Sequence, residues 1–312
     1  MTNPKTFILL MLLMLSINTS IGQKLKSYKG EFNDGTANYS YFEDAEFNRH
    51  FQGPFSYIGK RYNVNGQFKD GKQSGEWNIS ANNKIYENPG AKFQINANIY
   101  GSYNQGNLDG LWTYSNSMRM CYYDRWDTGT DTEKSTANFK DGHFVGKISY
   151  SKNWPQILTV LGQFDDTGRL EGTWTFDGKT ERDIIKYMNG IAYWRLRQNI
   201  TTGEKLVYYD NTAFVKEFWS KFDTVSNTAV INGIKYYPVK IQILDRHSEE
   251  GVIYSMNFAY ASIKELINPA INLWTSETIE LYGNQGLTNP IYYFKTKLTK
   301  VPYCYEIIIQ EM

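Results

Sequence analysis

The sequence predicts a mainly β protein: an elongated antiparallel meander of β-hairpin repeats over residues 23–210, followed by a small α+β domain over residues 211–312. Three observations predict it. A phrase built on glycine and aromatic residues recurs four times between Gly66 and Phe176. Rings dominate the apolar content, with 25 Tyr, 17 Phe and 8 Trp, which suits the pleated surface of strands. After about Asn211 the phrase stops and helical spacing appears.

The first element is a leader, residues 1–22. Lys5 precedes an uninterrupted apolar run from Phe7 to Leu15, and the small residues Ser20 and Gly22 sit two apart ahead of Gln23. That is the pattern of a secretory signal peptide cut after Gly22. The run is shorter than the roughly 20 apolar residues that span a bilayer, and no second run follows, so no transmembrane segment is expected after cleavage. The expected location is therefore outside the cytoplasm: periplasm, cell surface or medium. With Lys5 gone, 32 basic residues face 32 acidic ones. A neutral chain has no long-range attraction for nucleic acid or anionic lipid.

The repeats come next. "GQFKDGKQSGEW" from Gly66, "GSYNQGNLDGLW" from Gly101 and "GQFDDTGRLEGTW" from Gly162 share the form small-x-aromatic-x-x-Gly-x-x-x-Gly-x-Trp-x-apolar, the last with one residue inserted before Gly168. A further copy keeps Phe139, Gly142, Gly146, Ile148 and Tyr150. Weaker copies supply Tyr28, Gly30, Phe32 and Gly35; Ala45, Phe47, Gly53, Phe55 and Tyr57; and Tyr187 and Gly190. Gly66 and Phe68 are two apart, as are Trp77 and Ile79, so each pair points to one face of an extended strand. Gly71 and Gly75 bound the polar stretch between them and supply positive φ for a tight reversal. One unit is then a hairpin with its rings on one face. A lone hairpin is marginal in water, but stacked hairpins bury their rings against one another. The repeat-core residues are Phe68, Trp77, Tyr103, Trp112, Phe139, Phe164 and Trp174, and the glycine two before each ring is expected to leave room for an aromatic of the neighbouring repeat.

The phrase resembles MORN repeats, especially the divergent bacterial variant whose first half reads Tyr-x-Gly-x-aromatic-x-x-Gly. "YKGEFNDG", Tyr28 to Gly35, matches it at every fixed position, and the resemblance covers roughly residues 28–210. It implies an elongated, twisted antiparallel sheet of hairpins and a scaffolding role, with lipid contact proposed for some members. An antitoxin role attached to some bacterial members fits poorly with a signal peptide. Phe68 to Tyr103 is 35 residues and Tyr103 to Phe139 is 36, against 23 from Phe164 to Tyr187. Insertions of about a dozen residues are therefore expected to leave the sheet as loops.

In the last third, "TAFVKEFWSKF" spaces Phe214, Phe218, Trp219 and Phe222 as an amphipathic helix that packs on the end of the sheet. Asn232-Gly233 between apolar runs is a hairpin turn. "VKIQIL" and "VIYSMNFAY" alternate as strands, and further strands are expected around Tyr292–Leu298 and Tyr303–Ile309. Ser262 with Glu265 forms a capping box, and Asn268-Pro269 starts a second short helix.

Marks of catalysis are few. His50, His143 and His247 lie on separate segments beside turn-forming or charged residues and read as exposed loop histidines. No HExxH, CxxC or GxSxG occurs. "DGKT" at Asp177–Thr180 has the tail of a phosphate-binding loop, but Thr173 stands where its leading glycine belongs, so it reads as a turn. Asp124, Asp127, Asp131 and Glu133 cluster in one insertion; Gly129 occupies the third position of the calcium-loop spacing, so the segment reads as a solvated loop. Trp126 stands amid that charge, and a tryptophan so placed suits a partner contact. Asp124, Arg125, Trp126, Asp127 and Asp131 form the candidate partner-binding loop. Cys121 and Cys304 permit one bridge in an oxidising compartment, or remain two buried thiols; their spacing does not choose. No cofactor, metal or catalytic residue is assigned. The reading is an exported, non-enzymatic interaction scaffold with a protein partner. A carbohydrate-binding module using exposed rings is the alternative, and an envelope hydrolase with a carboxylate pair that spacing does not mark is third.

Overall fold

In the computed structural model the described residues are 24–32, 34–60, 62–88, 91–122, 125–126, 129–154, 156–241, 251–261, 274–283, 293–295 and 304–309. The leader, residues 1–22, lies outside them. The chain is mainly β. The strands of the first sheet are β1 (Lys26–Phe32), β2 (Gly35–Glu43), β3 (Arg49–Gly59), β4 (Asn63–Lys69), β5 (Lys72–Asn88), β6 (Ala91–Asn104), β7 (Asn107–Tyr122), β8 (Arg125–Trp126), β9 (Asp131–Lys140), β10 (His143–Lys152), β11 (Leu158–Phe164), β12 (Leu170–Asp177), β13 (Glu181–Met188), β14 (Ile191–Asn199) and β15 (Lys205–Asp210). They form one 15-stranded antiparallel sheet in sequence order, with short β8 alone off the path, paired to β7. Every connection is local, so the meander extends to Asp210 by adding one hairpin at a time.

Within each unit the two glycines do different work. Asp70-Gly71, Gln105-Gly106, Asp141-Gly142 and Asn189-Gly190 all have positive φ at both residues, which is the backbone of two-residue hairpin turns. Each of these turn glycines donates its N–H to a carbonyl of the preceding hairpin, as in Gly106 to Gln73 at 2.8 Å, Gly142 to Leu108 at 2.9 Å and Gly190 to Leu170 at 2.9 Å. The turns therefore stitch one repeat to the last. Gly75 does not bound the reversal, contrary to the sequence expectation. It sits at φ 63° inside a break in register between β4 and β5, where Asn65 pairs with Asn78 but Gln67 with Ser74. Gly110, Gly146 and Gly172 repeat this bulge.

The bulge delivers a tryptophan flat onto the facing strand. A Cβ on Gly66, Gly101 or Gly162 would lie under 3.0 Å from the ring of Trp77, Trp112 or Trp174 respectively, so nothing larger than glycine fits there. The ring accommodated is thus the second strand's own tryptophan, not one from the neighbouring repeat. In two of the three hairpins the indole N–H reaches the carbonyl just past the glycine, Trp112 to Ser102 at 3.0 Å and Trp174 to Gln163 at 3.2 Å, whereas the buried Trp77 indole N–H has no hydrogen-bond partner among the described residues. In β9–β10 the corresponding register partners are Ala137 and Ile148. A smaller side chain across the strand permits the extra methyl.

Alternation along the strands gives the sheet two unlike faces. Phe68, Trp77, Tyr103, Trp112, Phe139, Phe164 and Trp174 are all buried on the ring face, within one continuous cluster from Ala37 to Tyr187. Edge-to-face contacts link them, Phe68 to Trp77 at 5.1 Å, Tyr103 to Trp112 at 5.0 Å and Phe164 to Trp174 at 5.2 Å. Phe47 is not among them. It lies at φ 63° and 81% exposed, in a turn closed by the Asp44 carboxylate accepting from the Glu46 and Asn48 amides. Phe51 takes the ring-face position instead, stacked 5.0 Å from Phe68.

Most of the described part of the insertions stays in the sheet. Residues 80–88, 91–98, 115–122 and 131–136 continue the pleat, so that β5, β6, β7 and β9 run long and paired, with Ile95 opposite Met118 and Asn116 opposite Glu133. Their own polar–apolar alternation and β-branched residues satisfy the ladder, and a loop would have abandoned those backbone bonds. The result is an arm of long strands, with Arg125 and Trp126 beyond its β7 end.

Past Asp210, α1 (Thr212–Ser220) packs Val215 and Phe218 against Ile191, Ala229 and Ile231. Trp219 donates to the Met188 carbonyl at 3.2 Å and fixes the helix on the end of the sheet. Phe222, expected in the helix, belongs to β16 (Phe222–Asp223), which joins β17 (Thr228–Ile231), β18 (Ile234–Ile241) and β22 (Cys304–Ile309) in a second sheet. Asn232-Gly233 makes the β17–β18 turn with positive φ at both residues. A third sheet holds β19 (Gly251–Ala261), β20 (Trp274–Gly283) and β21 (Tyr293–Lys295), and β19 approaches β6, β7 and β9. The helix expectations at Ser262–Glu265 and Asn268-Pro269, and His247, lie outside the described residues.

Candidate functional site

Of the candidate partner-binding residues, Arg125, Trp126 and Asp131 are described, and they stand in strands at the end of the arm. Arg125 and Trp126 form β8, pairing with Tyr122 and Cys121. Asp131 opens β9 opposite Met118. Asp124 and Asp127 lie outside the described residues. Trp126 is 37% exposed, and the Arg119 guanidinium stands 5.8 Å from its ring centroid. That cation–π contact holds the indole against the arm while leaving part of it in solvent. Cys121, register partner of both Lys92 and Trp126, is a buried free thiol.

The face opposite the rings has an order that the repeat phrase conceals, because its residues fall between the phrase's fixed positions. Register aligns Ser56, Asn65, Asn78, Tyr100, Thr113, Thr136 and Ser149 in one row across seven strands. A second row holds Asn63, Ser80, Asn98, Ser115, Lys134, Ser151 and Thr159. Neighbours bond directly, Asn78 to Asn98 at 3.1 Å and Thr136 with Ser149 at 2.7 Å. Short amides and hydroxyls satisfy one another across strands and keep this face low and polar. A depression of about 370 Å³ lies among Thr113, Ser115, Lys134, Thr136, Ser149 and Ser151. Tyr100 is the aromatic of these rows, and its hydroxyl is held above its ordinary pKa by a hydrogen bond to Glu76.

Two charged clusters lie on the ring face. Glu133 accepts from Tyr150 at 2.5 Å and Tyr114 at 3.4 Å. Burial, then the Glu133 charge, pushes the Tyr114 hydroxyl up. Buried Asp183 receives Arg195 at 3.3 Å and Arg197 at 3.0 Å, and both guanidiniums cover Tyr208, at 4.4 and 5.6 Å from its ring centroid. The bond to Asp183 raises the Arg197 pKa. Alternation exposes the signal in the sequence, since Asp183 shares parity with the buried Ile185 and Tyr187. A carboxylate that both arginines already neutralise is built for packing; proton transfer would need a free lone pair facing a cleft.

His50 is on β3, bonded to Asp44 at 2.9 Å and stacked on Phe42, while His143 opens β10. Neither is a loop residue. Among the described residues no group of three or more His, Cys, Asp and Glu converges to hold a metal ion, and no helix is long and apolar enough to cross a membrane. Comparison with protein-family models finds no match, and no curated protein matches the chain.

Proposed function

We propose that this chain is an exported, non-enzymatic interaction scaffold built on MORN-like hairpin repeats, with a protein partner. One observation carries the reading: the sheet spends its rings on its own core, yet an exposed tryptophan is held in place at the end of an arm made by lengthening four strands. Lengthening costs backbone and side-chain entropy, which a merely structural repeat would not need. β8 places Arg125 next to Trp126, whose ring the Arg119 guanidinium meets at 5.8 Å, and an aromatic beside guanidiniums is the composition of a binding anchor.

The deciding experiment is capture from the native envelope with the full chain and with an Arg125→Ala/Trp126→Ala variant. Replacing the whole segment 116–135 would delete paired strand and confuse folding with binding. The double variant is expected to keep its melting midpoint, with stability changed by about 0.5 kcal/mol or less, and to lose the partner. Undiminished capture would place binding away from the arm. For export, intact mass of secreted material is expected to begin near Gln23.

A second reading, glycan binding, has its own support in Tyr100, a ring set among the amides and hydroxyls of the polar face. The repeat-core rings are buried, so the stacking surface of this reading lies with the exposed rings. Tyr100→Ala is expected to abolish retention on immobilised polysaccharide if this reading holds.

A further inference from the structure

On the polar face, the depression among Thr113, Ser115, Lys134, Thr136, Ser149 and Ser151 holds one charged side chain. Lys134 is exposed, and its register partners on either side are Ser115 and Ser151. Thr132 and Thr136 precede and follow it on the same face of β9, so all four neighbours are uncharged. Glu133, next to it in sequence, points to the ring face, where Tyr150 and Tyr114 donate to it. Farther along the row, register passes from Ser151 through Thr159 to Asp177, and that carboxylate already accepts two bonds from Arg182, at 2.6 and 2.8 Å. Among the described residues no carboxylate pairs with Lys134. A second ammonium, Lys147, is exposed on the same face of β10, two residues before Ser149.

The surroundings decide what these cations take. Hydroxyls both donate and accept, so those around Lys134 can satisfy the oxygens of an anion and the hydroxyls of a polyol alike. Tyr100 is the register partner of Thr113, is 37% exposed and has its hydroxyl bonded to Glu76. Its ring therefore stands at the rim of the depression, two strand spacings, about 10 Å, and one row from Lys134. A short stretch of linked sugars spans that gap. We infer that the depression takes the carboxylate of an acidic polysaccharide, with Lys134 meeting the charge while Tyr100 stacks on a sugar ring of the same chain. The inference rests on the glycan-binding reading and adds to it the charge of the ligand.

Native affinity electrophoresis of the full chain through gels holding polygalacturonate or alginate, each as the free acid and as the methyl ester, tests this. The ester keeps the rings and hydroxyls and removes the charge. The wild type is expected to bind the acids about fivefold more tightly than the esters, since an exposed ion pair is worth up to about 1 kcal/mol, and to lose that preference in high salt. Lys134→Gln, at an exposed position, is expected to keep its melting midpoint and lose most of the preference, whereas Lys134→Arg keeps it. Tyr100→Ala is expected to lose retention on acid and ester alike. A wild type that binds acid and ester equally overturns the inference and leaves the glycan reading standing. So does a Lys134→Gln protein with the full preference for the acid. Binding to none of these polymers overturns both.

Discussion

Hairpins β6–β7 and β9–β10 occupy neighbouring places in one sheet and share turn, bulge and ring, yet they solve one contact differently. In the first, Gly101 lies beneath the indole of Trp112, whose N–H bonds the Ser102 carbonyl. In the second, Ala137 faces Ile148, and no such donor exists. Both pairs are buried. What the array requires is therefore a matched size across the strand, small against large or medium against medium, more than it requires tryptophan. In β6–β7 the tryptophan adds a hydrogen bond and a ring that reaches Tyr103, which the isoleucine of β9–β10 lacks.

The comparison is broken most strongly by Trp112→Ala. It removes a buried ring and leaves Gly101 facing a void, with an expected loss of about 3–5 kcal/mol in denaturant melts. Ile148→Val in the sister hairpin should cost only about 0.5–1.5 kcal/mol. Equal losses would mean that the tryptophan hairpins carry no special share of the core. Next comes Gly101→Ala, which drives a methyl into the indole and should cost about 1–3 kcal/mol by overpacking. Combined with Trp112→Ile it recreates the Ala137–Ile148 pair, and the double variant should lose less than the sum of the singles. Strict additivity would show that the two positions do not sense each other.

The smallest expected effect lies outside the ring face. Hydrogen bonds from His50 and Asn48 hold the Asp44 carboxyl down to about 2. A lowered carboxyl pKa stabilises the fold above its unfolded value, about 4, and that contribution disappears as the pH falls through the folded value. The melting-temperature gap between wild type and Asp44→Asn should thus be open at neutral pH and close between about pH 4 and 2. A gap that persists to pH 2 would trace the difference to the turn's shape, not to its charge.

Much of the architecture was legible because repeats report on themselves. A spacing of two fixes a strand face, Asn232-Gly233 fixes one turn, and recurrence of the whole phrase fixes a stack, whereas the turns of the repeats fall at Asp70-Gly71 and its counterparts and not across Gly71 to Gly75. Phe68, Trp77, Tyr103, Trp112, Phe139, Phe164 and Trp174 follow from that pattern alone, as do α1 and the Asn232-Gly233 turn. Phe47 misled because an aromatic near a glycine resembles the phrase, whereas the nearby Asp44 dictates a side-chain-closed turn. The arm was misread for a different reason. Spacing between repeats shows that residues are added, but whether they pair depends on a partner strand of equal length, which no single segment contains.

The same distinction governs the candidate site. Composition could mark Trp126 as a ring amid charge, and it did so from local sequence. Only the fold brings Arg119 to it, lines up Asn78 with Tyr100 and Thr113, and sets Asp183 beneath Arg195 and Arg197, because those neighbours come from different strands. Sequence determined which residues alternate and where the chain turns, since both are properties of a few consecutive backbone angles. Register and the length of the arm were decided by tertiary structure, since each depends on which strand lies alongside.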